Sequence, residues 1–188
     1  MILMILLINA CVREESRTKI LADCLLSLLD GEWKEVNLSK IDFPAADEEF
    51  IVHRTDLIER GEYSDPLFDL ARDFSEADTI VIAAPFWDFS FPAALKQYLE
   101  QICVQGITFF YTDHGPEGLC KAKKLFYITT AGGKIYSDAF GYGYVKALAQ
   151  SFFGIEECVL IAAEGLDLDG ADVEMILREA EGRIRDCL

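Results

Sequence analysis

Three short stretches gather the residue types that could do chemistry. In CVREESRT, positions 11–18, five residues separate Cys11 from Arg17, and Ser16 and Thr18 flank that arginine. A thiolate at Cys11 could attack a phosphoryl group that Arg17 and backbone amides hold. Without attack, the same amides, the Ser16 and Thr18 hydroxyls and Arg17 could simply hold a phosphate monoester. In PFWDFSFP, positions 85–92, four aromatics fall within six residues, where a turn is normally polar. In TTAGG, positions 129–133, two hydroxyls precede a glycine pair that lets the backbone approach a ligand edge.

The first stretch admits several readings. Its spacing is that of a tyrosine-phosphatase nucleophile loop, as in the low-molecular-weight phosphatases. Against this, Glu14 and Glu15 lie inside the loop, where they raise a thiol pKa and repel an anionic substrate, and no glycine eases its curl. The general acid expected in an Asp-Pro pair after the fourth strand is missing; the one such pair, Asp65-Pro66, is explained by helix capping. A lipidated Cys11 after MILMILLINA needs a basic residue ahead of the apolar run, and the first one is Arg13. Ser16 could also be an ordinary N-cap.

The other two stretches break that tie. Phe91, beside a helix start, reads as core, whereas Phe86, Trp87 and Phe89 are placed to wall a flat ring. Thr130, Gly132 and Gly133 could donate along a ring edge, although a flexible turn is the plain alternative. A phosphate cradle at one strand end and an aromatic-plus-glycine slot at the next two describe a ligand with a phosphate tail and a planar head. Flavin mononucleotide, FMN, fits both.

Composition narrows the partners. With 33 acids against 17 bases, a net charge of −16 disfavours nucleic acid and anionic membrane surfaces. Hydrophobic residues at 52% and charged ones at 27% are an ordinary globular balance, and 188 residues suit one domain spanning 1–188. The six cysteines, with no C-x-x-C pair, read as reduced and mostly buried in a cytoplasmic protein. His53 and His114 lie far apart, so no metal site is expected.

The elements that must position these loops alternate. ILMILLI is a strand buried on both faces, followed by a helix in SRTKILADCLLSLLD that closes near Gly31. WKEVNLS is a short strand, KIDFPAADEE a loop, and 49–61 a weakly helical surface excursion. A helix starts at Ser64 or Asp65 with Pro66 in its first turn. TIVIAAP is a strand, and FPAALKQYLEQICVQG a helix entered at Pro92 and left at Gly106. The strand KKLFYITTAGG, a helix closed by Gly154, the strand ECVLIAAEG and an amphipathic terminal helix complete the chain. The pattern predicts an α/β fold: a doubly wound, five-stranded parallel sheet with helices on both faces. Ligands of such sheets sit beyond the carboxyl ends of the strands, where the three stretches fall.

The run 80–133 resembles the FMN-dependent azoreductases and NAD(P)H quinone reductases of flavodoxin-like fold. The likeness rests on Pro-Phe-Trp-Asp-Phe at 85–89, Phe-Pro-Ala-Ala-Leu-Lys at 91–96, Gly-Ile-Thr-Phe-Phe-Tyr-Thr at 106–112, Gly-Pro-Glu-Gly-Leu at 115–119 and Thr-Ala-Gly-Gly at 130–133. LSKIDFPAADEE and AAEGLD share the family's look. The resemblance implies a sheet order of 2-1-3-4-5, an FMN cofactor, NADH or NADPH as cosubstrate, and a homodimer with shared sites. It implies ping-pong hydride transfer through flavin N5 to a small planar acceptor such as a quinone, azo compound or nitroaromatic, with no dedicated catalytic side chain. A flavodoxin-like electron carrier is the alternative. Ser16, Arg17 and Thr18 match the phosphate loop, Pro85 to Phe89 the isoalloxazine turn, and Thr130, Gly132 and Gly133 the pyrimidine edge. Phe109, Tyr111 and Tyr136 match the substrate pocket and dimer interface. Two departures stand out: Asp88 where Asn is common, and Asn9 where Ser is frequent.

Overall fold

A computed structural model of the chain describes residues 3–188; Met1 and Ile2, at the head of the first apolar run, lie outside the described residues. That run forms strand β1, Met4–Asn9, whose alternate side chains enter two different cores. Strands β2 (Glu32–Asn37), β3 (Thr79–Ala83), β6 (Lys124–Thr130) and β7 (Glu157–Ala163) join it in one sheet of order β2-β1-β3-β6-β7, every neighbouring pair parallel. Counting only these five, the order is the expected 2-1-3-4-5.

Leu6, Ile8, Ile80, Ile82, Leu125 and Tyr127 point to one face; Ile5, Leu7, Val81, Ala83, Phe126 and Ile128 point to the other. Both faces of the central strands are thus apolar, as a covered parallel sheet requires. Helices α1 (Arg17–Leu28) and α6 (Val173–Asp186) cover the second face through Leu21, Ala22, Leu25, Ala180 and Ile184. Helices α3 (Asp69–Glu76), α4 (Ala93–Ile102) and α5 (Tyr142–Leu148) cover the first through Ala71, Phe74, Leu95, Leu99 and Val145. Each fully buried Leu or Ile contributes about 1.5–3 kcal/mol to holding these layers together.

Local signals set the helix starts. Ser16 caps α1, Asp65 caps a 3-10 turn at Pro66–Phe68 that leads into α3, and Asp172 caps α6. Gly154, in the left-handed region at φ 73°, closes a π-helical turn, Ala149–Phe153, that follows α5. Two expectations need correcting. The 49–61 region contains a full helix, α2 (Glu48–Glu59), capped by Asp47 and anchored in the core by Leu57; its polar surface hid that anchor. Helix α4 ends at Ile102 rather than near Gly106, because Val104, Gly106 and Thr108 fold into a turn that leads to the antiparallel hairpin β4 (Phe109–Thr112) and β5 (Gly115–Gly118). No helix of the described residues is long and apolar enough to cross a membrane.

Candidate functional site

The strand order reverses between β1 and β3, and the loops leaving their carboxyl ends diverge there. A cleft of about 570 Å³ opens at this point, lined among others by Ser16, Arg17, Thr18, Pro85, Phe86, Trp87, Thr130, Gly132 and Asp167. Small-molecule sites commonly run from about 300 to 1,000 Å³.

One wall is the start of α1. The Ser16 hydroxyl accepts from the Lys19 amide at 3.4 Å and the Ser16 carbonyl from the Ile20 amide. Those bonds leave the Arg17 and Thr18 amides at the helix's positive end, free to meet an anion. Thr18 is buried, and its hydroxyl meets that of Thr130 at 2.6 Å. Arg17 reaches across the opening to Asp167, Nη1 donating to Oδ1 at 2.8 Å.

The second wall is the turn after β3. Trp87 and Ser90 exchange backbone hydrogen bonds of 3.0 and 2.7 Å, and the two residues between them, Asp88 and Phe89, both have positive φ, 49° and 66°. Two consecutive left-handed residues make a tight reversal that normally selects Asn or Gly. Here a phenylalanine carries the strain, of the order of 1–2 kcal/mol. Strain of this kind persists where a site needs it. The turn is fastened by the Phe86 amide to the Thr130 carbonyl and by the Ser90 hydroxyl to the Phe140 carbonyl. Trp87, in the lining of the cleft, and Phe89, on the turn beside it, are left 42% and 55% exposed.

The third wall is the segment after β6. Leu166 and Asp167 donate backbone hydrogen bonds to the Ala131 and Gly132 carbonyls, and Gly165 to that of Gly133. A Cβ at Gly132 would overlap the Asp167 carboxylate, so the glycine lets that side chain lie directly against the backbone. A Cβ at Gly133 would meet nothing within the chain.

Asp88, Phe89 and Gly133 adjoin the cleft without lining it, and the remaining candidates lie elsewhere. Asn9 is buried beneath the first loop: its amide donates to Glu35 at 2.7 Å and its carbonyl oxygen accepts from the Cys11 amide. Phe109 is buried edge-on against Phe152, while Tyr111 and Tyr136 are 60% and 82% exposed and outside the cleft. Phe91 packs against the core beside Tyr144, as expected. Sequence reasoning missed Asp167, and also Arg13 and Glu15, whose opposite charges lie on the same rim.

Cys11 is not poised as a nucleophile. It is buried, its Sγ faces the Ala83 carbonyl at 3.7 Å, and burial pushes its pKa up, the Ser16 hydroxyl offsetting part of that rise. A protonated thiol under the loop attacks nothing. All six cysteines are free, but only Cys11 and Cys120 are buried, fewer than expected. The other four are half-covered: Cys24 within α1, Cys103 and Cys187 just past the ends of α4 and α6, and Cys158 near the start of β7.

A five-stranded parallel sheet of order β2-β1-β3-β6-β7 with helices on both faces and a cleft at its switch point defines the chain as a doubly wound α/β protein. Residues 4–188 match the profile of the flavodoxin-like fold family, and the chain belongs to that family. It is 49% identical over 113 residues to FMN-dependent NADH:quinone oxidoreductase 2 of Clostridium acetobutylicum, over 57% of this chain and 56% of the relative. The chain spans little more than half, 56 to 62%, of the length of the curated relatives it matches. Among solved structures, an azoreductase from Bacillus anthracis superposes with a TM-score of 0.83 at 22% identity, covering 98% of both chains. An FMN-dependent NADH-azoreductase of the same species, in complex with FMN, gives 0.80 at 23% identity, covering 98% of this chain and 97% of that one. These likenesses bear on the fold.

Proposed function

We infer that the cleft holds FMN and that the chain is an FMN-dependent NADH oxidoreductase acting on flat acceptors, quinones or azo compounds. The observation that carries this reading is the pairing of an anion cradle with an aromatic wall across one cleft. A phosphate suits the free amides at the α1 start, with Ser16 and Arg17 beside them. A planar ring suits Pro85, Phe86 and Trp87 on one side and the closely approached Gly132 backbone on the other. The donors where a phosphate would lie are neutral or cationic, with the carboxylates of Glu15 and Asp167 in the same lining, and the surface where a ring would lie is apolar. The names of the Clostridium and Bacillus relatives support the choice of cofactor and of NADH.

Bound FMN supplies reversible uptake and release of hydride, so no side chain needs to act as acid, base or nucleophile. The chain's own part is position and electrostatics. Ser16, Arg17 and the amides of Arg17 and Thr18 hold the phosphate. Phe86 and Trp87 keep water from one ring face, while the amides of Asp88, Phe89, Gly132 and Gly133 offer hydrogen bonds to polar ring edges that gain negative charge. Trp87 and Phe89 offer the flat apolar surface on which a nicotinamide and then an acceptor can stack. A second copy of the chain, meeting this one through exposed Tyr111 and Tyr136, and a cytoplasmic location belong to the same reading. Asn9, with its side chain engaged below the loop, supports the cradle's shape.

The test is a spectrophotometric assay of the FMN-loaded chain with NADH or NADPH and menadione. Sustained oxidation of the nicotinamide supports the oxidoreductase. A chain that keeps FMN yet oxidises neither nucleotide is an electron carrier.

A further inference from the structure

We propose that Asp167 determines how strongly the cleft selects a phosphorylated ligand: it holds Arg17 across the opening, and an incoming phosphate must take Arg17 from it. The proposal rests on the reading of the cleft as an FMN site. Arg17 and Asp167 come from opposite ends of the chain and close the cleft between the start of α1 and the loop after β7. The two partners differ in freedom. The Asp167 backbone is pinned, since its amide bonds to the Gly132 carbonyl at 2.9 Å and Leu166 and Gly165 bond alongside, so its short side chain stays on this side of the opening, against Gly132. Arg17 sits on a long, half-exposed side chain and can turn.

An exposed ion pair of this kind is weak, the side chains being 41% and 68% exposed. A phosphate dianion offers Arg17 more charge and a bidentate fit, so Arg17 changes partner when the ligand enters. The Asp167 carboxylate, repelled by the dianion, does not follow. It remains beside the cradle as an unpaired negative charge, with Arg13 and Glu15 on the rim offsetting one another. Giving up the Arg17 pair in this way is a cost that falls on FMN and not on riboflavin, which carries the same ring, no phosphate, and leaves the pair intact. Asp167 thereby narrows the preference for the phosphorylated flavin.

Titration of the flavin-free chain with FMN and with riboflavin, followed by quenching of flavin fluorescence, tests this in wild type, Asp167→Asn, Arg17→Met and the double variant. Removing one charge near a dianion at ordinary salt tightens FMN by about three- to tenfold in Asp167→Asn. Riboflavin affinity stays unchanged, and so does the thermal midpoint, since the side chain is exposed. Arg17→Met weakens FMN, and in that background the gain from Asp167→Asn shrinks to less than half. An Asp167→Asn variant that binds FMN no more tightly than wild type overturns the proposal. So does a gain undiminished without Arg17, which makes Asp167 a general field rather than a competitor. Failure of the wild-type chain to bind FMN overturns the reading of the cleft, and this proposal with it; binding that is equal in wild type and Asp167→Asn removes this proposal alone.

Discussion

The hydroxyls of Thr18 and Thr130 meet at 2.6 Å, tying the first turn of α1 to the last residue of β6. The bond crosses above β3, which lies between β1 and β6 in the sheet, so it fixes where the helix start points relative to the aromatic turn. The cradle and the ring slot are held in register by this contact.

Thr18→Val keeps the shape of a buried side chain and deletes the bond. Thr130 is half-buried and can turn to water, so the loss is one ordinary hydrogen bond, about 1 kcal/mol in urea unfolding. FMN affinity falls by less than tenfold, because the Thr18 amide is untouched. An unchanged urea midpoint means that the contact contributes nothing to stability.

Phe89→Gly relieves a residue at φ 66° whose side chain is 55% exposed. Relief outweighs the greater freedom of glycine in the unfolded chain and the loss of a peripheral contact to Phe86, giving a net gain of about 1 kcal/mol or less. Calorimetry should show a higher thermal midpoint together with weaker FMN binding. A lower midpoint contradicts the strain argument; tighter FMN binding contradicts the role given to the turn.

Gly118 and Gly132, two of the glycines at which an added Cβ would overlap a neighbour, differ in what stands in the way. At Gly118 it is the backbone of Phe153 and Gly154, which cannot move, so Gly118→Ala costs about 1–3 kcal/mol or more. At Gly132 it is chiefly the exposed carboxylate of Asp167, which can swing aside, so Gly132→Ala costs less than about 1 kcal/mol and breaks the Arg17 contact. Parallel thermal melts decide this; equal losses at both positions contradict it.

Alkaline pH should destabilise the chain. Burial pushes the Cys120 thiol up to about 12 and raises that of Cys11 above its ordinary value. Below the thiols' unfolded value near pH 9, both states keep their protons. Above it the unfolded chain releases protons that the folded chain retains, so stability falls as pH rises toward the folded value, by about 1.4 kcal/mol per unit for each such group. Urea unfolding at pH 8 to 10.5 under reducing conditions measures the slope, and Cys120→Ala should flatten it. A slope the same in both chains removes the assignment.

Much of this could be read from sequence because the signals were local. ILMILLI, TIVIAAP and LFYITT are continuous apolar runs that only a sheet covered on both faces accommodates. Ser16 and Asp65 announced their helix starts. What escaped was non-local or ran against propensity. Asp167 stands 150 residues from Arg17, and no spacing rule connects them. Helix α2 exposes Ile51 and Val52 among polar residues and fully buries only Leu57, so its apolar residues do not mark one buried stripe. The hairpin at 109–118 pairs Gly115 and Pro116 with Thr112 and Tyr111, residues that do not mark strands. The positive φ of Phe89 is imposed by the turn's closure, against its own preference.

Equilibrium titration of the flavin-free chain with FMN, in wild type and Ser16→Ala, tests the central claim most directly. One FMN binds per chain, the complex shows the visible absorbance of oxidised flavin, and removal of the Ser16 hydroxyl weakens binding. A chain that stays colourless with FMN in excess, or that binds it equally well in the variant and with no fixed stoichiometry, contradicts that claim.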